Sequence, residues 1–239
     1  MKIISHRGAS ARAPENTLAA VRLALASGAA GVEVDVRLTR DRRLAVLHDP
    51  DTSRVAPGQP RLRAASSSLA QLQTLDVGSW KDPKFSGERI PELADVIALL
   101  GPAHELLLEL KSPEFRAILA KLDKLLTPPA PRGIPAPRVI VMSFHAALVH
   151  KIKKARPAWR VLLLLNQQPS ARAVRRLLSE IRAHALDGLG QSRAWILPDA
   201  DYAAFHAAGA ILSVWTVNDP AEARLWRIRG FDYLTSDIL

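Results

Sequence analysis

The sequence predicts an α/β fold: a (β/α)₈ TIM barrel with a small inserted subdomain after the third strand. Short runs of leucine and β-branched residues alternate with stretches of helical periodicity, which is typical of a parallel sheet. The runs are apolar on both faces, as in a sheet that helices cover on both sides. Eight or nine such runs in 239 residues favour a closed barrel over an open doubly wound sheet.

Nine runs predict strands, one more than the barrel needs, so we expect one of them to be an extra strand. In chain order they are Ile3–Ser5, Gly31–Val36, Leu44–Leu47, Leu106–Leu110, Val139–Met142, Val161–Leu165, Ala185–Leu189, Ile211–Trp215 and Tyr233–Thr235. The helices between them carry cap signals. Thr17 is a suitable N-cap for a helix that stops near Gly28, and Ser170 precedes apolar residues at helical spacing. Asp219 precedes a proline at the first helical position, and Gly230 closes that last helix.

The alternation is interrupted first between the second and third strands. Only the seven residues Arg37–Arg43 separate them, too few for a crossover helix, so we expect a hairpin. A two-residue loop at Asp41 and Arg42 would place Asp35 opposite His48.

Two longer segments also lack barrel periodicity. Residues 51–89 are rich in Ser, Pro, Gly and Arg, and they are too long for an ordinary barrel loop. We expect them to form the inserted subdomain over one end of the barrel. Pro128–Pro137 predicts a proline-rich surface connection. The whole chain, 1–239, is then one TIM-barrel domain with 51–89 inserted in it.

Composition excludes several classes of protein. The chain has no Cys, which excludes disulfides and thiolate catalysis and agrees with a cytoplasmic location. No run of about 18 apolar residues exists, so we expect no stable membrane insertion, and no export signal is expected either. The net charge is +10, with basic residues along the whole chain. We expect a solvated basic surface, or attraction of a small anionic substrate, rather than nucleic-acid binding.

The second strand ends in acidic residues. Glu33 and Asp35 point to the same side of the strand because side chains alternate. Two carboxylates on an apolar strand are costly to bury without a positive partner. That partner is either a basic side chain at the barrel mouth or a hard divalent metal ion with oxygen ligands. The spacing alone favours neither.

The leucine run that predicts the next barrel strand also ends in charged residues. Glu109 and Lys111 share one side of this strand and emerge at its carboxyl end, where barrel enzymes keep their catalytic groups. Glu109 is a candidate third metal ligand, and Lys111 a candidate partner for a phosphate or a carboxylate. A structural Glu–Lys pair is the alternative.

Two histidines follow strands near these acids. His6 ends the first strand and His48 follows the third, and imidazole titrates close to neutral pH. Two histidines beside a metal suit a general acid and a general base. Arg7, next to His6, has the planar guanidinium that grips phosphate. This set of residue types favours metal-assisted phosphoryl chemistry over acyl transfer.

These residues resemble the glycerophosphodiester phosphodiesterase family. The resemblance rests on motifs that occur in order along nearly the whole chain: His6-Arg7-Gly8, Pro14-Glu15-Asn16-Thr17, Glu33-Val-Asp35, His48-Asp49, Gly78 to Pro91, Glu109-Leu-Lys111, Ser143-Phe144, Trp215 to Asn218 and Thr235-Ser-Asp237. The chain departs from the family at the hairpin, which has Asp41-Arg42 where the family often has Asp-Gly. It departs again after Asp51, where the family tends to have Arg-Thr-Thr and glycines.

The resemblance implies a fold, a reaction and a set of residue roles. It implies a TIM barrel with an inserted subdomain that hydrolyses glycerophosphodiesters to sn-glycerol 3-phosphate and an alcohol. The matching positions imply the following roles: His6 and His48 as the acid/base pair, Glu33, Asp35 and Glu109 as ligands of Mg²⁺ or Ca²⁺, Arg7 and Lys111 as phosphate contacts, and Phe144 and Trp215 as the lining on the glycerol side. A lysophospholipase D-type phosphodiesterase acting on lysolipids is the alternative function. The expected partner is a small glycerophosphodiester substrate, and the sequence carries no signal for the oligomeric state.

Overall fold

The computed structural model describes residues 1–126 and 138–238. Eight parallel strands close into a TIM barrel, because β9 pairs with β1 and β1 pairs with β2. The predicted fold class is therefore confirmed. The strands are β1 Lys2–His6, β2 Gly31–Leu38, β3 Leu44–Val46, β4 Glu105–Leu110, β5 Val139–Ser143, β6 Arg160–Leu165, β7 Gly188–Ser192, β8 Ile211–Trp215 and β9 Tyr233–Ser236.

Helices cross over between the parallel strands and cover the outside of the barrel. They are α1 Leu18–Ala26, α3 Leu93–Leu99, α4 Phe115–Leu126, α5 Ala146–Ala155, α6 Ala171–Arg182, α7 Asp199–Ala207 and α8 Pro220–Ile228. The short helix α2, Leu69–Leu72, lies within residues 51–89 instead. The predicted caps are present: the side chains of Thr17, Ser170 and Asp219 accept bonds from backbone N–H groups in the first turns of α1, α6 and α8. The described helices include none that is long and apolar enough to span a membrane.

Two layers of apolar side chains make up the core. Valines and leucines of the strands pack outward against the helices, and this layer contains most of the buried apolar residues. A smaller set packs inside the barrel, including Ile4, Leu107, Ile140 and Leu162. The filled interior leaves room for a ligand only at the ends of the strands, as is usual in this fold.

The extra strand is β3, which runs antiparallel to β2 outside the closed barrel. The predicted register was wrong by one residue. Val36 pairs with Val46, and the amide of Leu47, not of His48, donates to the carbonyl of Asp35 at 2.9 Å. The reason is the turn: the amide of Arg42 bonds the carbonyl of Thr39, and Arg42 has a positive φ of 57°, which makes a three-residue loop.

Residues 51–89 contain short helical turns and α2 rather than barrel elements. Apolar side chains of this segment pack with Ala45, Leu47 and Ile90 into a small core separate from the main one, and among them are Val55, Leu69, Leu72, Leu75 and Val77. The division of the chain into one domain with 51–89 as an inserted subdomain stays a prediction. The proline-rich connection predicted for Pro128–Pro137 lies outside the described residues.

The sixth barrel strand, β7, begins later than predicted, at Gly188 instead of Ala185. His184 has a positive φ of 53°, and the amide of Ala185 bonds the carbonyl of Glu180. These residues therefore terminate α6 instead of starting the strand.

Candidate active site

A cavity of about 260 Å³ opens at the carboxyl ends of the barrel strands. Eight of the nine predicted site residues line it: His6, Arg7, Glu33, His48, Glu109, Lys111, Phe144 and Trp215. The ninth, Asp35, is only 1 % exposed and contacts the same group of side chains. The remaining lining comes from Met142, Leu164, Asn166, Ser213 and Thr235. The structure therefore brings all nine predicted residues to one place.

Three buried carboxyl groups lie together at one edge of this cavity. One oxygen atom each from Glu33, Asp35 and Glu109 lies within 4.8 Å of the other two. The sheet register explains the cluster, because Asp35 on β2 pairs directly with Glu109 on the neighbouring β4. Glu33 is two residues earlier on β2 and so points to the same side.

Two basic side chains face the three carboxyl groups. Lys111 Nζ lies 3.1 Å from Asp35 Oδ1 and 2.5 Å from Glu109 Oε1. Arg7 Nε lies 3.2 Å from Asp35 Oδ2, and its backbone amide donates to Glu33 Oε2 at 3.1 Å. Burial alone would lower the pKa of Lys111, but Asp35 and Glu109 outweigh it and raise this pKa above its usual value. Lys111 therefore stays positively charged.

The three carboxyl groups differ in how readily they ionise. Burial, together with repulsion from Asp35 and Glu109, raises the pKa of Glu33 well above its usual value. Burial and the charge of Asp35 likewise raise the pKa of Glu109 to about 7. Burial would also raise the pKa of Asp35, but attraction to Lys111 and Arg7 outweighs it and lowers this pKa to about 2. Of the three carboxyl groups, Asp35 is therefore the one that stays negatively charged near neutral pH.

This donor set fits a divalent cation. The group offers hard carboxylate oxygens, which Mg²⁺ and Ca²⁺ prefer. The raised pKa values of Glu33 and Glu109 mean that Arg7 and Lys111 do not fully balance three negative charges. A bound cation would supply the missing positive charge and displace the protons. The buried acidic triad is thus consistent with a divalent metal site.

Both histidines are held by carboxylates. His6 Nδ1 lies 2.7 Å from Asp237 Oδ1, and His48 Nδ1 lies 2.7 Å from Asp49 Oδ1. A carboxylate at Nδ1 fixes the proton on that atom, so Nε2 is left free to exchange protons. Neither Nε2 atom has a hydrogen-bond partner within the parts of the chain that the structure describes, and both rings line the cavity.

Each of the two carboxylates is itself positioned by further contacts. Asp237 accepts bonds from Ser10 Oγ at 2.9 Å and from Asn218 Nδ2 at 2.8 Å. Asp49 accepts a bond from Arg54 Nε at 2.6 Å. The partner of His6 is therefore held by neutral groups, and the partner of His48 by a cation.

Arg54, from the 51–89 segment, connects two parts of the site. Besides Asp49, its guanidinium donates to Glu15 Oε2 at 2.5 Å and to Glu15 Oε1 at 2.9 Å. Glu15 in turn accepts a bond from Arg7 Nη1 at 2.9 Å. One guanidinium thus holds the residue that orients His48 and the residue that orients Arg7.

The loop after β1 is shaped by its backbone conformation. Gly8 has a positive φ of 76°, and a Cβ at this position would lie 2.6 Å from the backbone of Ala20, so only glycine fits. Within this loop Asn16 is buried; its Nδ2 donates to Asp35 Oδ2 at 2.9 Å, and its Oδ1 accepts from the Asp35 amide at 3.3 Å. Asn16 therefore positions a candidate metal ligand directly.

Two aromatic rings, those of Phe144 and Trp215, also line the cavity. Phe144 and Trp215 meet edge to face with their ring centroids 5.7 Å apart. Lys111 Nζ lies 5.9 Å from the centre of the Phe144 ring, within cation–π range. Phe144 remains 39 % exposed at the rim. The cavity therefore has a charged side and an apolar side.

Three residues of the site were not predicted to have a role: Asp237, Arg54 and Asn166. Asp237 follows the last strand, and a carboxylate at a barrel strand end near His6 is the signal that could have identified it. Arg54 has no such signal, because its contacts depend on how residues 51–89 fold back. Asn166 lines the cavity after β6, and its position after a strand is the only indication of it.

Comparison with known proteins agrees with this geometry. The model of the glycerophosphoryl diester phosphodiesterase family matches residues 6–238. A glycerophosphodiester phosphodiesterase of Caldanaerobacter subterraneus is 36 % identical over 165 residues, covering 68 % of this chain and 65 % of the relative. A probable glycerophosphodiester phosphodiesterase 1 of Mycobacterium tuberculosis is 38 % identical over 176 residues, covering 68 % of this chain. The aligned part spans 63 % of that relative's length.

Solved structures show the same architecture. A phosphodiesterase of Oleispira antarctica, in complex with the product sn-glycerol-3-phosphate, has a TM-score of 0.85 and 30 % identity, covering 99 % of this chain and 93 % of that one. A glycerophosphodiester phosphodiesterase of Agrobacterium tumefaciens has a TM-score of 0.81 and 27 % identity, covering 100 % and 96 %. Because the family model matches nearly the whole chain, this protein belongs to the glycerophosphoryl diester phosphodiesterase family.

Proposed function

We propose that this protein hydrolyses glycerophosphodiesters to sn-glycerol 3-phosphate and an alcohol. The observation that carries the proposal is the meeting of three kinds of group in one cavity. These are an acidic cluster suited to a cation, two imidazoles with free Nε2 atoms, and two basic side chains. A phosphodiester needs all three, because its hydrolysis accumulates negative charge and moves a proton at each of two oxygens.

Arg7 and Lys111 bind the phosphate group in this proposal. Both line the cavity, and both already contact Asp35, which keeps them charged and in place. Lys111 provides a point charge, and Arg7 provides the guanidinium N–H groups that do not contact Asp35 or Glu15. Their charges oppose the negative charge that develops on the phosphate oxygens during the reaction.

Glu33, Asp35 and Glu109 would hold a divalent cation, Mg²⁺ or Ca²⁺. When bound, such an ion would supply positive charge that stabilises the transition state. The contribution of the chain is the placement of the three carboxylates. Asn16 orients Asp35, and the backbone amide of Arg7 orients Glu33.

His48 and His6 move the protons. Burial lowers the pKa of His48, so this ring is unprotonated near neutral pH and suits the general base. It accepts the proton of the attacking oxygen, which belongs to water or to the substrate's own glycerol hydroxyl. Attack by the hydroxyl gives a cyclic phosphate, which a water molecule then opens to sn-glycerol 3-phosphate in a second displacement. The attacking oxygen forms a bond to phosphorus as the bond to the alcohol oxygen breaks. His6 donates its Nε2 proton to the departing alkoxide, and Asp237 stabilises the protonated ring beforehand.

Phe144 and Trp215 pack against the glycerol carbons. The two rings line the cavity and meet edge to face, so together they offer an apolar surface. The volume of about 260 Å³ suits a small diester better than a lipid with an acyl chain. The product named for the Oleispira antarctica structure, which is 30 % identical to this chain, supports the same substrate class.

The proposal is tested by offering purified protein a panel of diesters. Glycerophosphocholine, glycerophosphoethanolamine and glycerophosphoglycerol are compared with micellar lysophosphatidylcholine, and released glycerol 3-phosphate and free choline are measured. We expect glycerol 3-phosphate from the soluble diesters. Choline release from lysophosphatidylcholine without turnover of the soluble diesters would instead support the lysophospholipase D alternative.

Histidine variants show whether the proposed cavity is responsible. His6→Ala and His48→Ala should each lose at least about a hundredfold in kcat, the usual contribution of a general acid or base. His145→Ala is the matched control, because His145 is exposed at the start of α5 and does not line the cavity. Equal activity of all three variants would refute the assignment. Activity in the cytoplasm stays a prediction, which cell fractionation tests.

A further inference from the structure

The positive charge of this chain is concentrated on one side of the barrel. Basic residues occur throughout the sequence, whereas acidic residues are scarce between residues 112 and 185. Residues 112–185 contain fourteen Lys or Arg and only three Asp or Glu, a balance of +11 in a chain whose total is +10. The rest of the chain is therefore close to neutral, and the segment that contains α4, α5 and α6 carries the excess.

These three helices lie side by side on the barrel surface. Arg156, just after α5, donates to Asp123 of α4 with Nε at 2.7 Å from Oδ1. His150 of α5 approaches Glu180 of α6, with Nε2 at 3.2 Å from Oε2. Glu180 also pairs with Arg176 at 2.8 Å. Asp123 and Glu180, the two acidic residues of these three helices, are therefore both already paired with basic side chains.

The remaining cations of the helices project into solvent. We call their surface the α4–α6 face, and it is made up of the exposed side chains Arg116, Lys124, Lys151, Lys154, Arg172, Arg175 and Arg182. None of the seven has an ion-pair partner among residues 1–126 and 138–238. The segment 127–137 contains no Asp or Glu that could pair with them.

We propose that the α4–α6 face docks the protein on a membrane surface rich in anionic phospholipids. Seven uncompensated cations complement a sheet of negative headgroups, and each basic residue near such a surface adds attraction. The described part of these helices exposes no large apolar side chain, so contact occurs at the headgroups without insertion.

The shape of the face favours a bilayer over nucleic acid. Three neighbouring helices form a broad convex surface, which does not enter a DNA groove about 12 Å wide. The described residues of α4, α5 and α6 expose no aromatic ring for stacking on single-stranded bases. A planar array of charged headgroups needs neither feature.

The location of the α4–α6 face relative to the cavity gives docking a purpose. Phe144 lines the cavity two residues before α5 begins, and Asn166 lines it five residues before α6 begins. Arg116 and Arg172 lie in the first turns of α4 and α6, at this same mouth. The purpose of docking rests on the proposed function. A glycerophosphodiester is a phospholipid without its acyl chains, so hydrolysis of the acyl esters of a membrane phospholipid must supply the substrate.

Vesicle flotation tests the proposal with the full chain. Vesicles of phosphatidylcholine alone are compared with vesicles that contain about 30 % phosphatidylglycerol, at about 50 mM and about 300 mM salt. We expect binding only to the anionic vesicles, weakened at least about tenfold by the higher salt. The absence of binding to anionic vesicles at low salt would overturn the proposal.

A pair of charge-reversal variants locates the contact. R172E/R175E on α6 should weaken vesicle binding at least about tenfold. R224E/R227E is the matched control: it reverses two exposed arginines at the same spacing on α8, and neither has an ion pair among the described residues. We expect this control to retain binding within about twofold. An equal loss in both variants would overturn the proposal, as would a preference for a DNA duplex over anionic vesicles.

The two proposals fail separately. Vesicle binding is measured without substrate, and R172E/R175E should turn over soluble glycerophosphocholine at the rate of the unchanged protein. A loss of that turnover together with normal thermal unfolding would contradict a docking role confined to the α4–α6 face.

Discussion

Asp237 Oδ1 lies 2.7 Å from Nδ1 of His6, which joins the last residues of the chain to the end of the first strand. This carboxylate fixes the tautomer of the ring and stabilises its protonated form. Asp237→Asn replaces the charge with an amide of similar shape. We expect kcat to fall at least about tenfold, with little change in KM, because the substrate contacts are unaffected.

A control for this substitution is available on the neighbouring loop. Asp219→Asn changes a carboxylate that caps α8 and does not touch His6. Glycerol 3-phosphate release by the two variants is compared at equal protein concentration, with thermal unfolding followed in parallel. Full activity of Asp237→Asn would show that His6 needs no carboxylate partner.

Arg54 should affect catalysis without touching the substrate. It holds Asp49, which orients His48, and Glu15, which orients Arg7. Arg54→Gln removes both contacts, and we expect kcat/KM to fall at least about tenfold. Arg61→Gln is the matched control, since Arg61 pairs with Asp51 and contacts neither histidine. Its kcat/KM should remain within about twofold.

A double-mutant cycle separates positioning from general destabilisation. If Arg54 acts on His48 through Asp49, the losses in Arg54→Gln and Asp49→Asn should not add in the double variant. Additive losses would mean that the two residues act independently.

Metal affinity should depend on pH through Glu33 and Glu109. The pKa of Glu33 is raised well above its usual value and that of Glu109 to about 7, so Glu109 carries its proton as the pH falls below about 7 and Glu33 also holds its proton more tightly than a free carboxyl group. A cation must displace those protons, and its apparent dissociation constant therefore rises with acidity, by about tenfold per pH unit for each proton released. Asp35, with a pKa of about 2, contributes no change near neutrality.

Calorimetric titration with Mg²⁺ between about pH 6 and 8 measures this dependence. Buffers of different ionisation enthalpy report how many protons leave. Glu109→Gln should weaken binding and flatten the pH dependence. If the affinity of the unchanged protein for Mg²⁺ stays constant over this pH range, then neither Glu33 nor Glu109, the two carboxyl groups with raised pKa values, binds the ion.

The small core of residues 51–89 should contribute to stability. Leu72 is fully buried in that core, and Leu72→Ala leaves a cavity that costs about 2–5 kcal/mol of unfolding free energy. Leu225→Ala on α8 is the control, because Leu225 is exposed and its truncation should cost under about 0.5 kcal/mol. Urea unfolding measures both. Equal stability of the two variants would show that this core contributes little.

The alternation of strands and helices was sufficient to predict the barrel and the convergence of its site. Period-2 alternation places Glu33 with Asp35 and Glu109 with Lys111, and parallel strands bring their carboxyl ends together. The turn at Arg42 escaped prediction because its positive φ occurs in a residue without a glycine-like signal. One residue of loop length then shifted the whole hairpin register.

Contacts between distant loops were beyond sequence reasoning. Asn16 reaches Asp35 because the loop after β1 folds over the barrel mouth, and Arg54 reaches Glu15 because residues 51–89 return to that mouth. No local pattern reports where such a loop ends. Asp237 belongs to the motif Thr235-Ser-Asp237, but its role emerges only when the last strand closes the barrel beside the first.

Metal depletion is the decisive experiment on the proposed cation site. The protein is stripped with a chelator, and release of sn-glycerol 3-phosphate from glycerophosphocholine is measured before and after Mg²⁺ or Ca²⁺ is returned. We expect the stripped protein to lose its activity and one of these ions to restore it, but not in Glu33→Gln. Undiminished release by the stripped protein in excess chelator would show that catalysis needs no divalent cation.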